Sequence, residues 1–255
     1  MQIRVGLFVT CLADMFRPSV AFSAIQLLEE SGCLVDVPHK QTCCGQPAAN
    51  SGDERAAREI AMQVIDAFEG YDYVVAPSGS CINSIRNEYQ KLFPAGTEWR
   101  ARADGLSKKA YELTSFLVDV VGYKSVQTAI GECSATYHDS CSGLRNLNIR
   151  EQPRTLLRSV TGLKLNEMTD ANACCGFGGT FCVKYPDISN KIVSDKVRNI
   201  AASKAEILIG GDLGCLLNMS GKLSRLGVPV KVYHVAEVLA GRLDNPAIGE
   251  KKGGL

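Results

Sequence analysis

The chain has almost no excess charge of either sign: 28 Lys and Arg face 27 Asp and Glu across 255 residues, a formal net charge of +1. That balance removes the broad electrostatic case for nucleic acid or an anionic membrane surface as a partner. Long apolar runs are missing too. The N-terminal stretch MQIRVGLFVTCLADMF is interrupted by Asp14, with Arg17 following, before it could serve as a secretory signal or a membrane span. No membrane span and a cytoplasmic location are therefore expected. Neither a P-loop nor a G-x-S-x-G sequence occurs, and GFGG at 176–179 follows a cysteine pair rather than a strand, which is the wrong context for a dinucleotide site. No flavin or nicotinamide site is predicted. Asp and Glu are too dispersed to nominate a carboxylate pair, so catalytic residues stay unassigned. The ferredoxin run C-x2-C-x2-C-x3-C is also absent.

What the chain has in plenty is cysteine. Hydrophobic residues at 45% and charged residues at 22% are an ordinary globular balance, and the length suffices for a core without covalent staples. Eleven cysteines cannot all pair internally, and a reducing compartment disfavours structural disulfides. Metal binding or thiol chemistry is the better use for them.

The cysteines repeat. A shift of about 130 residues places Cys11 on Cys141, Cys43-Cys44-Gly45 on Cys174-Cys175-Gly176, and Cys81 on Cys215. Val5 to Val9, and Ala135 to Tyr137, read as buried strands that each deliver a cysteine just past their carboxyl end. Ile60, Ala61, Ile65 and Phe68 match Ile192, Val193, Val197 and Ile200 as one helix stripe. Ser51 and Glu54 fit a capping box at the first of these helices. YDYVVAPSGSC and AEILIGGDLGC then predict strand, turn, cysteine and a further helix. The fold class expected is α/β, with two pseudo-repeated, three-layer-like modules, mainly parallel sheets, and cysteines at the carboxyl edge. Their bounds are 1–125 and 130–245, with 246–255 as a flexible tail. The halves differ mainly near residues 94–108, a polar insertion carrying the only Trp.

Each half thus assembles Cys-x31-Cys-Cys-Gly, or its x32 variant, with a distant fourth cysteine. Mononuclear zinc usually draws on compact Cys-x2-4-Cys knuckles, which this scatter does not resemble. Adjacent cysteines diverge, so gripping one ion with both strains the backbone, whereas neighbouring thiolates can bind different irons of a cluster. Glycine after the pair lets the backbone turn beneath a bulky inorganic body. Helices starting at the strand ends would direct backbone donors at an anionic thiolate cluster. Iron-sulfur is the leading reading, with zinc and thiol redox as the alternatives. Cys33 and Cys133 fall outside the repeat and read as core residues, and Cys182 has no counterpart in the first half.

Taken in order, VTCLADMFRP, QTCCGQPAANSG, HDSCSGL, CCGFGGTF and GDLGCL resemble the cysteine-rich CCG-domain proteins, most closely the lactate-utilisation protein A group, over about residues 3–241. The resemblance implies an iron-sulfur electron-transfer subunit of a multi-protein L-lactate oxidation complex that works without nicotinamide. It further implies a part of an oxidoreductase complex rather than a complete enzyme, with a ferredoxin-type iron-sulfur protein expected among its partners. Related domains occur in the glycolate oxidase iron-sulfur subunit and the heterodisulfide reductase B subunit. The fullest motif ends in Cys-x-x-Cys, where this chain has Ser78-Gly79-Ser80-Cys81 and Asp212-Leu213-Gly214-Cys215. Four thiols per half make two 4Fe-4S clusters the expectation, with Ser78 and Asp212 as turn residues, hydrogen-bond partners or weak ligands. The ligands expected are Cys11, Cys43, Cys44 and Cys81, then Cys141, Cys174, Cys175 and Cys215.

His138 and Asp139 stand just before Cys141, where hydrogen bonding is expected of them. His39 and His234 read as capping or packing residues, and Arg145 as a solvated side chain. A zinc-stabilised interaction scaffold and a thiol-disulfide reductase are the rival functions.

Overall fold

Short apolar runs alternating with amphipathic segments condense into two parallel sheets in the computed structural model, which describes residues 2–250. The first holds β1 (Arg4–Leu7), β2 (Leu34–Asp36), β3 (Tyr73–Ala76) and β4 (Ala110–Glu112) in the order β2-β1-β3-β4. The second holds β5 (Ala129–His138), β6 (Thr161–Leu165), β7 (Ile207–Gly210) and β8 (Lys231–His234) in the order β6-β5-β7-β8. Every neighbouring pair is parallel, so the α/β duplication holds at the level of topology. Register is kept as well: Leu7 lies opposite Val75, as Tyr137 lies opposite Ile209.

Strands buried on both faces read as continuous apolar runs, and alternate residues go to different layers. Val74 and Ala76 pack outward with Ala61, Val64, Ile65 and Phe68 of the helix Glu54–Phe68. Leu208 and Val232 pack with Val193, Val197 and Ile200 of the helix Pro186–Ala202. The intervening residues face a shared interior. Val5, Leu7 and Val75 of the first sheet join Ala135, Tyr137, Ile207 and Ile209 of the second in one apolar cluster. Leu27 and Leu28 of the helix Ser19–Glu30 belong to it, as do Val238 and Leu239 of the helix Val235–Leu239. The halves therefore share a central helical layer. Buried Glu237 reinforces it across the halves, accepting from Arg17 Nε at 2.8 Å and Ser19 Oγ at 2.6 Å.

Three local expectations need correction or refinement. The capping box of Ser51 and Glu54 does not form, because Asp53 occupies the N-cap and its carboxylate accepts from Ala56 N at 3.0 Å. The polar segment 94–108 becomes the helix Glu98–Lys109, with Trp99 stacked on Phe93 and the Arg102 guanidinium above its ring. The chain is not a free tail from residue 246. Ala247 and Ile248 are buried, Ile248 N donates to Val232 O at 2.8 Å, and Ser220 Oγ donates to Ile248 O. Residues 251–255 lie outside the described residues.

Candidate metal centres

A strand order of 2-1-3-4 reverses direction between the first and third strands, which opens a crevice at their carboxyl ends. Cys11 begins the helix Cys11–Phe16 after β1, and Cys81 lies in the helix Gly79–Asn83 after β3. Cys141 and Cys215 follow β5 and β7 in the same way, Cys215 within the helix Leu213–Arg225. The double cysteines arrive on the loops after β2 and β6. Each half thus brings its four cysteines to one switch point.

In the first half, Cys11 Sγ donates to Cys43 Sγ at 3.8 Å, and Cys44 interacts with both Cys43 and Cys81. All four line a cavity of about 250 Å³. Its far wall comes from the second half, from Phe177, Val183, Asp212 and Gly214 among others. In the second half, Cys175 Sγ donates to Cys215 Sγ at 2.9 Å, Cys174 interacts with Cys175, and the charge of Cys141 reaches Cys215. Cys175 and Cys215 are buried, while Cys141 is exposed.

Crowding sets the protonation of these thiols. The hydrogen bond from Cys11 is the largest influence holding Cys43 far below the usual thiol range, and the same bond, then burial, pushes Cys11 up. Hydrogen bonds with Cys43 and Cys81 raise Cys44, with burial adding to the effect. Cys215 gains from the Cys175 hydrogen bond, yet burial and the charges of Asp212, Cys141 and Cys174 leave it above its ordinary value. So many buried thiols cannot all ionise without positive charge among them, and a metal-bearing group would supply that charge. The four thiols that line the first cavity fit soft-metal or iron-sulfur chemistry.

Backbone placement is repeated with different side chains. Tyr89 Oη donates to Cys44 O at 3.0 Å, and Asn218 Nδ2 donates to Cys175 O at 2.8 Å. Both clamp the carbonyl of the second cysteine from a segment following the last one. Gly45 and Gly176 take φ of 78° and 81°, the left-handed turn that glycine permits.

A family model described as cysteine-rich domain, CCG, matches residues 5–86 and 135–220, one match per half. "Lactate utilization protein A" of Geobacillus kaustophilus is 48% identical over 240 residues, covering 94% of this chain and all of that one. The protein of the same name from Halalkalibacterium halodurans is 46% identical over 237 residues, covering 93% of this chain and 96% of its own. The chain belongs to the lactate utilization protein A family of CCG proteins. A crystal structure of a hypothetical protein from Helicobacter pylori shares the fold alone, with a TM-score of 0.63 at 10% identity. It matches 98% of this chain, which spans about half of that structure.

Other residues singled out in this family member fall into place around the two centres. Ser78 is an N-cap, its Oγ accepting from Cys81 N at 3.3 Å. Asp212 takes the N-cap position before Cys215, but its carboxylate accepts instead from Ser80 of the other half. His234 caps the helix Val235–Leu239 through Nδ1, with Glu237 completing the box. His39 and Arg145 are exposed, and the charge of Arg145 reaches Cys174. Cys33 is buried in the shared core, Cys133 packs against it, and Cys182 Sγ donates to Gly179 O at 3.3 Å. Asp139 forms a bidentate pair with Arg154 at 2.8 and 2.9 Å, and Arg154 also binds Glu167.

His138 departs from expectation. It is buried, and among the described residues neither ring nitrogen makes a well-formed hydrogen bond, though the Ala171 carbonyl lies close enough to act on the ring. Burial pushes it down to about 3, so the ring is neutral. The sequence pattern did not reveal Lys196, a cation 1% exposed beneath the second centre, whose Nζ donates to Asp170 O and Ala171 O at 2.9 and 2.8 Å. It sits on the apolar stripe of its helix, where a lysine reads as a boundary residue. Tyr89 and Asn218 were equally invisible, since their role depends on a loop that arrives from elsewhere in the chain.

Proposed function

We propose that this protein is an iron-sulfur electron-transfer subunit of a multi-protein L-lactate oxidation complex, located in the cytoplasm. The observation that carries the reading is the convergence of eight repeated cysteines into two sets at the two switch points. Cys11, Cys43, Cys44 and Cys81 hold one group, and Cys141, Cys174, Cys175 and Cys215 the other. A bound 4Fe-4S cluster at each site would supply a one-electron carrier. The chain itself contributes thiolates at strand ends, helix N-termini that favour their negative charge, and a fold that closes the first site with the second half. The names of the 44–48% identical relatives support lactate as the physiological electron source. With no ferredoxin run in the chain, a ferredoxin-type partner is assigned the onward relay. Among the described residues no helix is long and apolar enough to cross a membrane.

The test is iron, zinc and acid-labile sulfide per chain after anaerobic purification, then reduction by lactate in the complex reconstituted with its partners. About eight irons and eight sulfides per chain, with lactate-dependent bleaching, are expected for two cubes. Stoichiometric zinc without sulfide, persisting after anaerobic reconstitution, overturns the reading in favour of a structural metalloprotein.

A further inference from the structure

The two centres repeat in backbone but not in their buried surroundings. Phe8 and His138 both stand three residues before a strand-end cysteine and occupy the same register in their sheets. Phe8 is fully buried and packs on Phe68, ring centroids 5.5 Å apart. His138 is 1% exposed, yet among the described residues neither nitrogen makes a well-formed hydrogen bond, and the Ala171 carbonyl that approaches the ring could engage only its N–H, leaving the other nitrogen's lone pair without a donor. Leaving a buried imidazole unpaired is costly in a protein interior. One of its nitrogens, Cys175 Sγ and Cys215 Sγ all lie within 4.8 Å of one another, a span that one metal atom can bridge. The neighbouring polar groups are already engaged. Asp139 is paired with Arg154, and Lys196 with two backbone carbonyls. Lys196 itself replaces buried Val64 of the first half.

We propose that His138 supplies an imidazole-nitrogen ligand to the metal of the second centre in place of one of its four thiolates, while the first centre, with Phe8 in that place, has thiolate ligands only. The proposal rests on the reading that each cysteine set holds an iron-sulfur cluster. It accounts for the unpaired ring, because the lone pair that finds no donor in the protein is the one a metal takes. It also makes the centres unequal. A neutral imidazole standing in for an anionic thiolate, together with the Lys196 ammonium nearby, lowers the negative charge at the second centre and makes it the more easily reduced of the two.

Pulsed electron paramagnetic resonance on the anaerobic, dithionite-reduced full chain tests this, comparing natural-abundance and nitrogen-15 histidine samples. The expected result is a nitrogen coupling of imidazole strength from one centre, altered by the isotope and lost in His138→Phe. That variant installs the residue of the first half, and circular dichroism checks its fold. The midpoint potential of the second centre is expected to fall in His138→Phe and in His138→Cys, with the first unchanged. Of the other histidines, His234 has both nitrogens engaged, with Pro77 O and Ala236 N, and His39 is exposed beside Cys11 and Cys43. His39→Ala therefore attributes the coupling even where His138→Phe fails to fold: a coupling that survives supports His138. Iron and sulfide in both halves with no histidine coupling overturns the proposal and leaves the cluster reading intact. A coupling lost in His39→Ala overturns it as well. Wild-type protein that takes up no iron or sulfide overturns the cluster reading first, and the ligand assignment with it.

Discussion

The carboxylate of Asp212 accepts two hydrogen bonds from Ser80, from its backbone N–H at 2.9 Å and its hydroxyl at 3.0 Å. A residue three places before Cys215 is thereby tied to the residue immediately before Cys81, and the two centres are joined by a part-buried polar contact. Because Phe177 and Gly214 also wall the first cavity, the first half does not present a finished site alone.

Replacing Asp212 with Ala strands the Ser80 N–H and removes this tie. Thermal unfolding is expected to show a loss of about 1–3 kcal/mol. Metal content is expected to stay at the wild-type level, since both carboxylate oxygens of Asp212 are engaged by Ser80; selective loss of metal from either centre would instead make it a ligand.

The two cysteine sets are separate in space, so each is expected to load alone. Cys44→Ser and Cys175→Ser should each retain about half of the wild-type iron and sulfide per chain, because each removes one ligand from one cluster. Elemental analysis of the two variants and of the double variant checks this. Complete loss in either single variant would show one shared centre.

Alanine at Gly176 is expected to do more damage than alanine at Gly45. Both positions have positive φ, which costs an L-residue about 1–2 kcal/mol. At Gly45 the added Cβ meets the Ile60 side chain at 3.2 Å, which can shift. At Gly176 it meets the Ser189 carbonyl oxygen at 2.8 Å, in a helix whose Ser189 hydroxyl already donates to Gly176 O. Parallel melting curves and metal contents should rank the two, with second-centre metal lost selectively from Gly176→Ala.

Glu112 is pushed up to about 7 from an ordinary 4.5 by burial, against hydrogen bonds from Thr114 and Ser115 that favour its charge, with Asp212 raising it slightly further. Between these values the folded chain holds a proton that the unfolded chain has released. Its contribution is complete below 4.5 and is lost as pH rises through 7. The shift corresponds to up to about 3 kcal/mol. Glu112→Gln should therefore flatten the decline in stability between about pH 5 and pH 8, measured by denaturant unfolding against wild type. An unchanged slope would mean the proton is not held.

Duplication, the strands before Cys81 and Cys215, and the placement of the repeated cysteines past strand ends were legible because period and spacing are local properties: a short apolar run such as Ile207–Gly210, ending in glycine, reads as a buried strand, and Cys215 follows it. Even the capping error was local, since Asp53 and Ser51 are both good N-caps and only the path of the turn selects one. By itself, then, the chain determined two α/β repeats with cysteines at their carboxyl edges. Tertiary structure alone decided that the repeats share a core, that the second closes the cavity of the first, and that Asp212 joins them. It also decided that His138 and Lys196 stand buried at one centre where Phe8 and Val64 stand at the other. Those outcomes depend on which distant faces meet and exclude water, a choice settled by packing between elements far apart in the chain, to which no local pattern corresponds.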